Sequence, residues 1–453
     1  MLVGREEQLA QLQKMFGKLT SSIVVLYGKK GMGKTSLARE FIKDKDSFYY
    51  YAIPAAPDEA RFFMANAVYG PSELNGYLTS YEDVFAGVTK ENKVKKVIVI
   101  DEFQSICRND PDFLKAAFTM IKDQQDYGRV MLILISSSIS FIEEQQGSLF
   151  KEVRQMTSYM KLEELKFMDT IRFFANYSIE DCVRFYGLTG GVPLYISKLS
   201  KKLPFKENVY KAVLTQGSFL YNEGHASVGE ELRETALYNT ILGCLASGMN
   251  KINDIYNYTG FGRDKISVYL KNLMARDIVE KVYSYDVNGR ENIKKGSYRI
   301  KPGFVLFWYR YMYQNQTELV TMQPQDFYNE YIADDLDDFM NEAFVNVCSD
   351  YLQLLEEHGG VAMKTVRKSR VYEKNLRIDI IREDEEGVCA VGQCDFSGNQ
   401  VLASALTELK DNVRKANLNA IYYFMFSRAG FADDLKKIAN DDKNIILVDI
   451  KDL

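Results

Sequence analysis

Histidine and tryptophan are nearly missing from this chain, which holds 2 His and 1 Trp among 453 residues. His225 and His358 lie far apart, and the 6 cysteines, Cys107, Cys182, Cys244, Cys348, Cys389 and Cys394, form no C-x-x-C pair. That composition argues against a structural zinc site and against a disulfide framework. Only 8 prolines are spread through the sequence, and no low-complexity linker or internal repeat interrupts it. No apolar run approaches the roughly 20 residues of a membrane span, and Met1-Leu2-Val3-Gly4 lacks the basic, apolar, small-residue order of a secretory signal. The expectation is a soluble, cytoplasmic chain with no membrane partner. A formal net charge of -5 argues against a protein that coats polyanions over its whole surface. Aromatics are plentiful instead, with 30 Tyr and 27 Phe, and the length suffices for about three domains that each bury a core.

Gly28-Lys29-Lys30-Gly31-Met32-Gly33-Lys34-Thr35 satisfies the phosphate-loop spacing G-x-x-x-x-G-K-[ST]. Upstream, Ile23 to Tyr27 is a short apolar, β-branched run that predicts a buried strand. Downstream, Ser36 to Ile42 has helical spacing. Glycines let successive N–H groups and the helix N-terminus curl towards an anion. Lys34 would reach the β- and γ-phosphates, and the Thr35 hydroxyl would ligate Mg²⁺. The rival reading is a glycine-rich turn that happens to carry a lysine; the flanks argue against it.

Val97-Ile98-Val99-Ile100-Asp101-Glu102 has the form of a central parallel strand that delivers acids to the carboxyl edge of its sheet, a Walker B pattern. Asp101 would hold Mg²⁺ through water, and Glu102 would orient and deprotonate the water that attacks the γ-phosphate. A third apolar run, Val130 to Ile135, leads into Ser136-Ser137-Ser138, whose hydroxyls have two readings. They touch the γ-phosphate or the attacking water, with Ser137 central, or they cap the helix before Phe141.

With these pieces in place, the chain resembles the archaeal-type ATPases of the STAND branch of AAA-like NTPases, the DEXX-box ATPases. Leu2-Val3-Gly4-Arg5-Glu6-Glu7 is similar to the opening V-G-R-E box, which implies that Val3, Gly4 and Arg5 lie near the adenine. Thr189-Gly190-Gly191-Val192-Pro193-Leu194-Tyr195 resembles the G-G-x-P-x-Y motif of the lid, which places Pro193 near the nucleotide; a helix C-cap followed by a turn would need only the glycines and proline. The phosphate loop and the start of its helix put Gly28, Lys29, Lys30, Gly31, Met32, Gly33, Lys34, Thr35 and Ser36 in the nucleotide-binding set. An arginine that the family carries after its third core strand is absent from Ser148-Leu149-Phe150-Lys151-Glu152. Arg154 is either its substitute or a solvated surface residue, so hydrolysis is expected to be slow or to need a partner.

From about Lys161 to Asn222 the spacing is helical, as for a lid. Helices are expected over Glu231 to Ala246, Ile252 to Thr259 and Arg263 to Arg276, followed by a hairpin from Lys281 to Ile300 that turns at Asn288-Gly289. That is the winged-helix order. On the third helix Ile266, Leu270, Leu273 and Met274 form an apolar stripe, and Arg263, Ser267 and Lys271 share another face. Residues 262–301 hold ten Lys/Arg against five Asp/Glu, so double-stranded DNA is a candidate partner, with Lys294 and Lys295 on phosphate. The other reading, common in STAND proteins, is an intramolecular packing module. Phe304 to Tyr311 is similar to an F-W-Y-R stretch and reads more simply as core than as a base-stacking platform.

Residues from about Asp326 resemble the PD-(D/E)xK nuclease fold, whose chemistry needs carboxylates converging on a divalent metal. Asp379 supplies the first acid, but the expected Glu-x-Lys appears as Gln393-Cys394-Asp395, and Val345 stands where a helical glutamate is usual, with Glu342 one turn away. Residues 326–453 carry 15 Lys/Arg and 25 Asp/Glu, a poor surface for a phosphate backbone. The expectation is a degenerate module that packs or recruits a protein partner.

The sequence therefore predicts an α/β chain: a P-loop AAA-like core over 1–160, a helical lid over 161–227, a winged helix over 228–303, an aromatic linker over 304–325 and a nuclease-like α/β domain over 326–453. Its expected cofactors are ATP and Mg²⁺, and its expected function is a nucleotide-controlled switch that couples ATP state to the winged helix. Rival readings are a regulator for which nucleotide is only a ligand, an interaction or signalling protein, and an ATP-coupled nuclease.

Overall fold

A computed structural model describes residues 2–70, 80–90, 94–124, 130–229, 234–283, 296–373 and 376–453. The chain divides into two compact units, Met1–Glu164 and Leu165–Leu453. The first ends at Glu164, where the sequence reading puts the boundary at 160.

That sheet has five strands: β1 (Ser22–Tyr27), β2 (Ser47–Tyr51), β3 (Lys96–Asp101), β4 (Val130–Ser136) and β5 (Thr157–Lys161). The order is β2-β3-β4-β1-β5 and every neighbouring pair is parallel. Parallel strands covered on both faces need apolar residues at every position. The sequences VIVI and VMLILI satisfy that need, and Val97 to Asp101 and Val130 to Ser136 are buried throughout. One face, with Ile23, Val25, Ile98, Ile100, Leu132 and Leu134, packs into a core with Phe85, Phe103 and Phe113. Helix Lys34–Ile42 packs against β3 and β4. Each buried branched side chain contributes about 1.5–3 kcal/mol on transfer from water. Because β4 lies between β1 and β3, the carboxyl ends of these three strands form one continuous edge.

The second unit contains all four of the segments that the sequence separates. Helix Ile179–Thr189 begins where the Ser178 side chain accepts from the Asp181 N–H, and it ends on Gly190 in the left-handed conformation, φ 61°. Gly191 follows at φ 72°, and its carbonyl accepts from the Leu165 N–H at 2.9 Å. Pro193 then opens helix Pro193–Ser197.

Helices Thr235–Ala246, Ile252–Thr259 and Arg263–Ala275 precede an antiparallel pair, β6 (Val279–Val282) and β7 (Ser297–Ile300). The expected turn at Asn288-Gly289 lies outside the described residues. Phe304, Phe307, Trp308, Tyr309 and Tyr311 are buried, and the Tyr309 hydroxyl donates to Asn239 Oδ1 at 2.7 Å. This stretch is core.

Helix Leu336–Glu357 leads into a mixed sheet of β8 (Arg367–Glu373), β9 (Leu376–Glu383), β10 (Val388–Asp395), β11 (Asn419–Ser427) and β12 (Ile445–Asp449), in the order β12-β11-β10-β9-β8. β8, β9 and β10 form an antiparallel meander, whereas β11 and β12 add in parallel after helices Ala403–Lys415 and Asp433–Asp441.

Candidate nucleotide site

The loop from Gly28 to Gly33 leaves β1 at the carboxyl edge. Three of its glycines adopt positive φ, Gly28 at 149°, Gly31 at 86° and Gly33 at 85°, conformations that a side chain disfavours. The Gly28 N–H donates to the carbonyl of Ser136 at the end of β4, 3.3 Å away. Gly33 caps helix Lys34–Ile42, and its carbonyl accepts from Leu37 N at 2.9 Å. The helix N-terminus thus faces the concave side of the loop, where an anion is favoured.

Lys34 is buried, and its ammonium donates to the carbonyls of Gly28 at 2.7 Å and Lys29 at 2.8 Å. Burial pushes its pKa down to about 8 against the opposing pull of Glu102 and Asp101. Arg5 is buried and donates to the carbonyls of Met32 at 3.1 Å and Glu163 at 2.5 Å, while Lys29 forms an ion pair with Glu164. These contacts fasten the loop to the segment that follows β5. Arg5 therefore acts on the loop backbone, a role that the V-G-R-E resemblance alone did not reveal. Gly4 turns the chain into Arg5 at φ 70°, with Val3 half-buried beside it, and Lys30 and Ser36 are exposed.

Asp101 is fully buried at the end of β3. Its Oδ2 accepts from the Thr35 hydroxyl at 2.6 Å and from the Tyr49 hydroxyl at 2.6 Å. Its Oδ1 is buried without a hydrogen-bond partner among the described residues. An orphaned carboxylate oxygen beside a threonine hydroxyl at a phosphate loop fits Mg²⁺, so Thr35 and Asp101 would hold that ion. Tyr49 was not foreseen; a tyrosine-rich edge strand, Ser47–Tyr51, was the one signal. Burial, followed by the hydrogen bond to Asp101, holds the Tyr49 phenol well above its ordinary pKa.

Glu102 stands just past the strand in the left-handed region, φ 56°, a conformation that is costly for glutamate. Its Oε2 accepts from Ser137 Oγ at 2.6 Å, from Ser137 N at 3.3 Å, and from the Gln104 side-chain amide. The Phe103 N–H donates to the Ile135 carbonyl at 3.1 Å and fixes this turn against β4. Ser137 therefore touches the candidate base, whereas Ser138 is buried and its hydroxyl accepts from Arg108 at 2.9 Å. Gln104 was also missed, since nothing in the spacing marks it.

One expectation is corrected. Arg154 precedes β5, at the edge opposite the phosphate loop, so it does not reach the phosphate loop of its own chain. The opposite ends of a parallel sheet cannot serve one site.

Residues 2–199 match a family described as an ATPase domain predominantly from Archaea. Residues 308–405 of the chain match a second family, described as archaeal and bacterial proteins of unknown function. An uncharacterized protein of Methanocaldococcus jannaschii is 28% identical over 389 residues, covering 84% of this chain and 84% of its own. Among solved structures, the Walker-type ATPase of Pyrococcus abyssi is 16% identical with a TM-score of 0.47, covering 68% of this chain and 96% of that one. The Aeropyrum pernix ORC2 protein, in ADPNP and ADP complexes, is 13% identical with a TM-score of 0.47, covering 71% and 96%.

Outside the ATPase domain, Arg263, Ser267 and Lys271 are all exposed on helix Arg263–Ala275 above buried Ile266, Leu270 and Leu273. Arg263 donates to Asn253 Oδ1 at 2.9 Å and lies over the Tyr256 ring, and the Ser267 hydroxyl donates back to the Arg263 carbonyl at 2.9 Å. Lys294 and Lys295 fall outside the described residues.

The tail residues do not converge as one nuclease centre. Asp379 is buried on β9, where its Oδ1 accepts from Arg377 at 2.8 Å and its Oδ2 from the Cys394 N–H at 2.9 Å. Gln393 and Asp395 line a cleft with Asp337, Asn341 and Arg377. Glu342 is corrected: it lines a different cleft and pairs with Arg299 at 2.5 Å and Arg370 at 3.6 Å. Asn341 and Glu342 are adjacent on helix Leu336–Glu357, and the 100° step between them sends their side chains to different faces. Among the described residues no group of three or more His, Cys, Asp or Glu is placed to hold a metal ion, and no helix is long and apolar enough to cross a membrane.

Proposed function

We propose that the chain is a Mg²⁺-dependent ATPase that works as a nucleotide-controlled switch. The observation that carries this reading is the pairing of Asp101 with Thr35 on one side and of Glu102 with Ser137 on the other, at the shared edge of β1, β3 and β4. Residues Gly28 to Thr35 cradle the phosphates with backbone N–H groups, and the Lys34 ammonium turns from its loop carbonyls to the β- and γ-phosphate oxygens. Mg²⁺ bound at Thr35 and Asp101 supplies neutralisation of the charge on those oxygens. Glu102 accepts a proton from the attacking water as its oxygen bonds to the γ-phosphorus and the bridging oxygen leaves with ADP. Gln104 and Ser137 hold Oε2 of that carboxylate, which orients Oε1 for the proton.

The box from Val3 to Arg5 lies near the base of the nucleotide in this reading, supported by the family resemblance. The three helices and hairpin between 235 and 300 form a winged helix that meets duplex DNA through Arg263, Ser267 and Lys271, supported by their shared exposure and the local basic excess. The tail serves as a degenerate nuclease-like module that binds a protein partner, supported by the engaged state of Asp379 and its acidic surface. Phosphate release from ATP, measured with and without Mg²⁺ and with Lys34→Ala, tests the ATPase reading; equal turnover by the variant overturns it. Anisotropy of a labelled duplex under ATP, ADP and no nucleotide tests the DNA contact, and loss of binding in Lys271→Glu is the expected result.

A further inference from the structure

A cleft of about 680 Å³ opens at the amino edge of the ATPase sheet, lined by Lys18, Lys122, Lys151 and Arg154, with Glu152 as the acid. It is separated from the phosphate loop by the length of β1, six residues and about 20 Å. The cations come from three separate segments: the loop before β1, the end of helix Asp112–Asp123, and the turn of helix before β5. Glu152 is already taken by Lys122 at 3.0 Å. Behind the wall, Lys95 donates to the carbonyls of Lys18 at 2.8 Å and Thr20 at 3.0 Å. Two acceptors of that loop are thereby occupied, and another positive charge stands beside Lys18. Ser21 pins the same loop by donating to the Gln124 carbonyl at 2.7 Å.

Residues 1–164 carry 21 Lys/Arg and 22 Asp/Glu, so the excess here is local and not a property of the whole domain. The volume lies within the small-ligand range of about 300–1,000 Å³. The apolar part of the lining is Met15, Val153 and Met156, with no aromatic ring among the described lining residues, so the cleft offers no platform on which a base would stack. With Lys122 held by Glu152, Lys18 from one segment and Lys151 and Arg154 from another converge on the concavity, which suits charges gathered in one small molecule better than charges strung along a strand.

We infer that this cleft is a second anion site, which takes a compact polyphosphate. It is independent of the nucleotide site, and Lys18, Lys151 and Arg154 supply its charge.

Inorganic tripolyphosphate is the probe. Titration calorimetry is run on the full chain after the phosphate loop has been saturated with Mg²⁺ and ADP, at low and at physiological salt. One binding event is expected to remain, weakened by salt and weakened about tenfold or more by Lys151→Glu with Arg154→Glu. Lys18→Glu, on a different segment, is expected to weaken it in the same direction, while all variants keep their affinity for ADP. Absence of binding under saturating ADP, or binding untouched by both variants, overturns the site. Duplex DNA retained through these same residues without any tripolyphosphate binding overturns the compact anion.

Discussion

The Tyr49 hydroxyl donates to Asp101 Oδ2 across the boundary of β2 and β3, 2.6 Å away, and shares that oxygen with Thr35. Both donors meet one oxygen, and the other, Oδ1, is buried without a hydrogen-bond partner among the described residues. The carboxylate is thus oriented before any cation arrives, which reduces the cost of ordering it on binding.

Tyr49→Phe removes one of those donors without altering the ring. A hydrogen bond to a charged group is worth about 1.5–3 kcal/mol, so the Mg²⁺ concentration required for nucleotide binding should rise about tenfold or more. Fluorescent ADP titrated at several Mg²⁺ concentrations measures this; an unchanged requirement means that Tyr49 only packs.

Glu102→Gln keeps the shape of the side chain and its capacity to meet Ser137, but loses the base. Hydrolysis should fall by about 10²–10⁴ while ATP is still bound. Single-turnover phosphate release beside equilibrium ATP binding separates the two effects, and turnover equal to the wild type removes Glu102 from the chemistry.

Lys34 carries a sharper pH signature. Its pKa lies near 8 in the nucleotide-free protein, and phosphate would raise it. Below pH 7 the ammonium is already charged and binding takes up no proton. Near pH 9 binding should take up close to one, and affinity should fall as pH rises through that range. The same burial makes stability rise with pH between about 8 and 10.5, because there the unfolded chain binds more protons than the folded one. Calorimetry of ADP binding in buffers of different ionisation enthalpy reads the uptake directly. No uptake at pH 9 sinks this assignment.

Asp379 should prove structural. Asp379→Ala removes the carboxylate that accepts from the buried Cys394 N–H and from Arg377, at a cost of about 1–3 kcal/mol. Urea unfolding of the full chain would show the loss. Divalent-metal-dependent plasmid cleavage that disappears in the same variant would instead restore a nuclease role.

Much of the candidate site is legible from the chain because its signals are local. A phosphate loop needs glycines at positions of positive φ and a lysine beside a helix start, and all of these lie within Gly28 to Thr35. Apolar runs ending in Asp101-Glu102 or in serines are equally local, and so is the order of three helices and a hairpin. Strand adjacency is not. That β4 lies between β1 and β3, which brings Ser137 to Glu102, follows from packing between segments more than thirty residues apart. Tyr49 reaches Asp101 by the same long-range route, and Arg5 reaches Met32 and Glu163. Arg154 and Glu342 show the converse: a residue type close to the expected position was sent to another face by strand direction or helical phase. The sequence by itself determined which segments curl round phosphate and which strands are buried, since backbone freedom and apolar periodicity are properties of neighbouring residues. Only the tertiary structure decided which side chains meet, because a hydrogen bond of 2.6 Å between distant segments depends on sheet order and register.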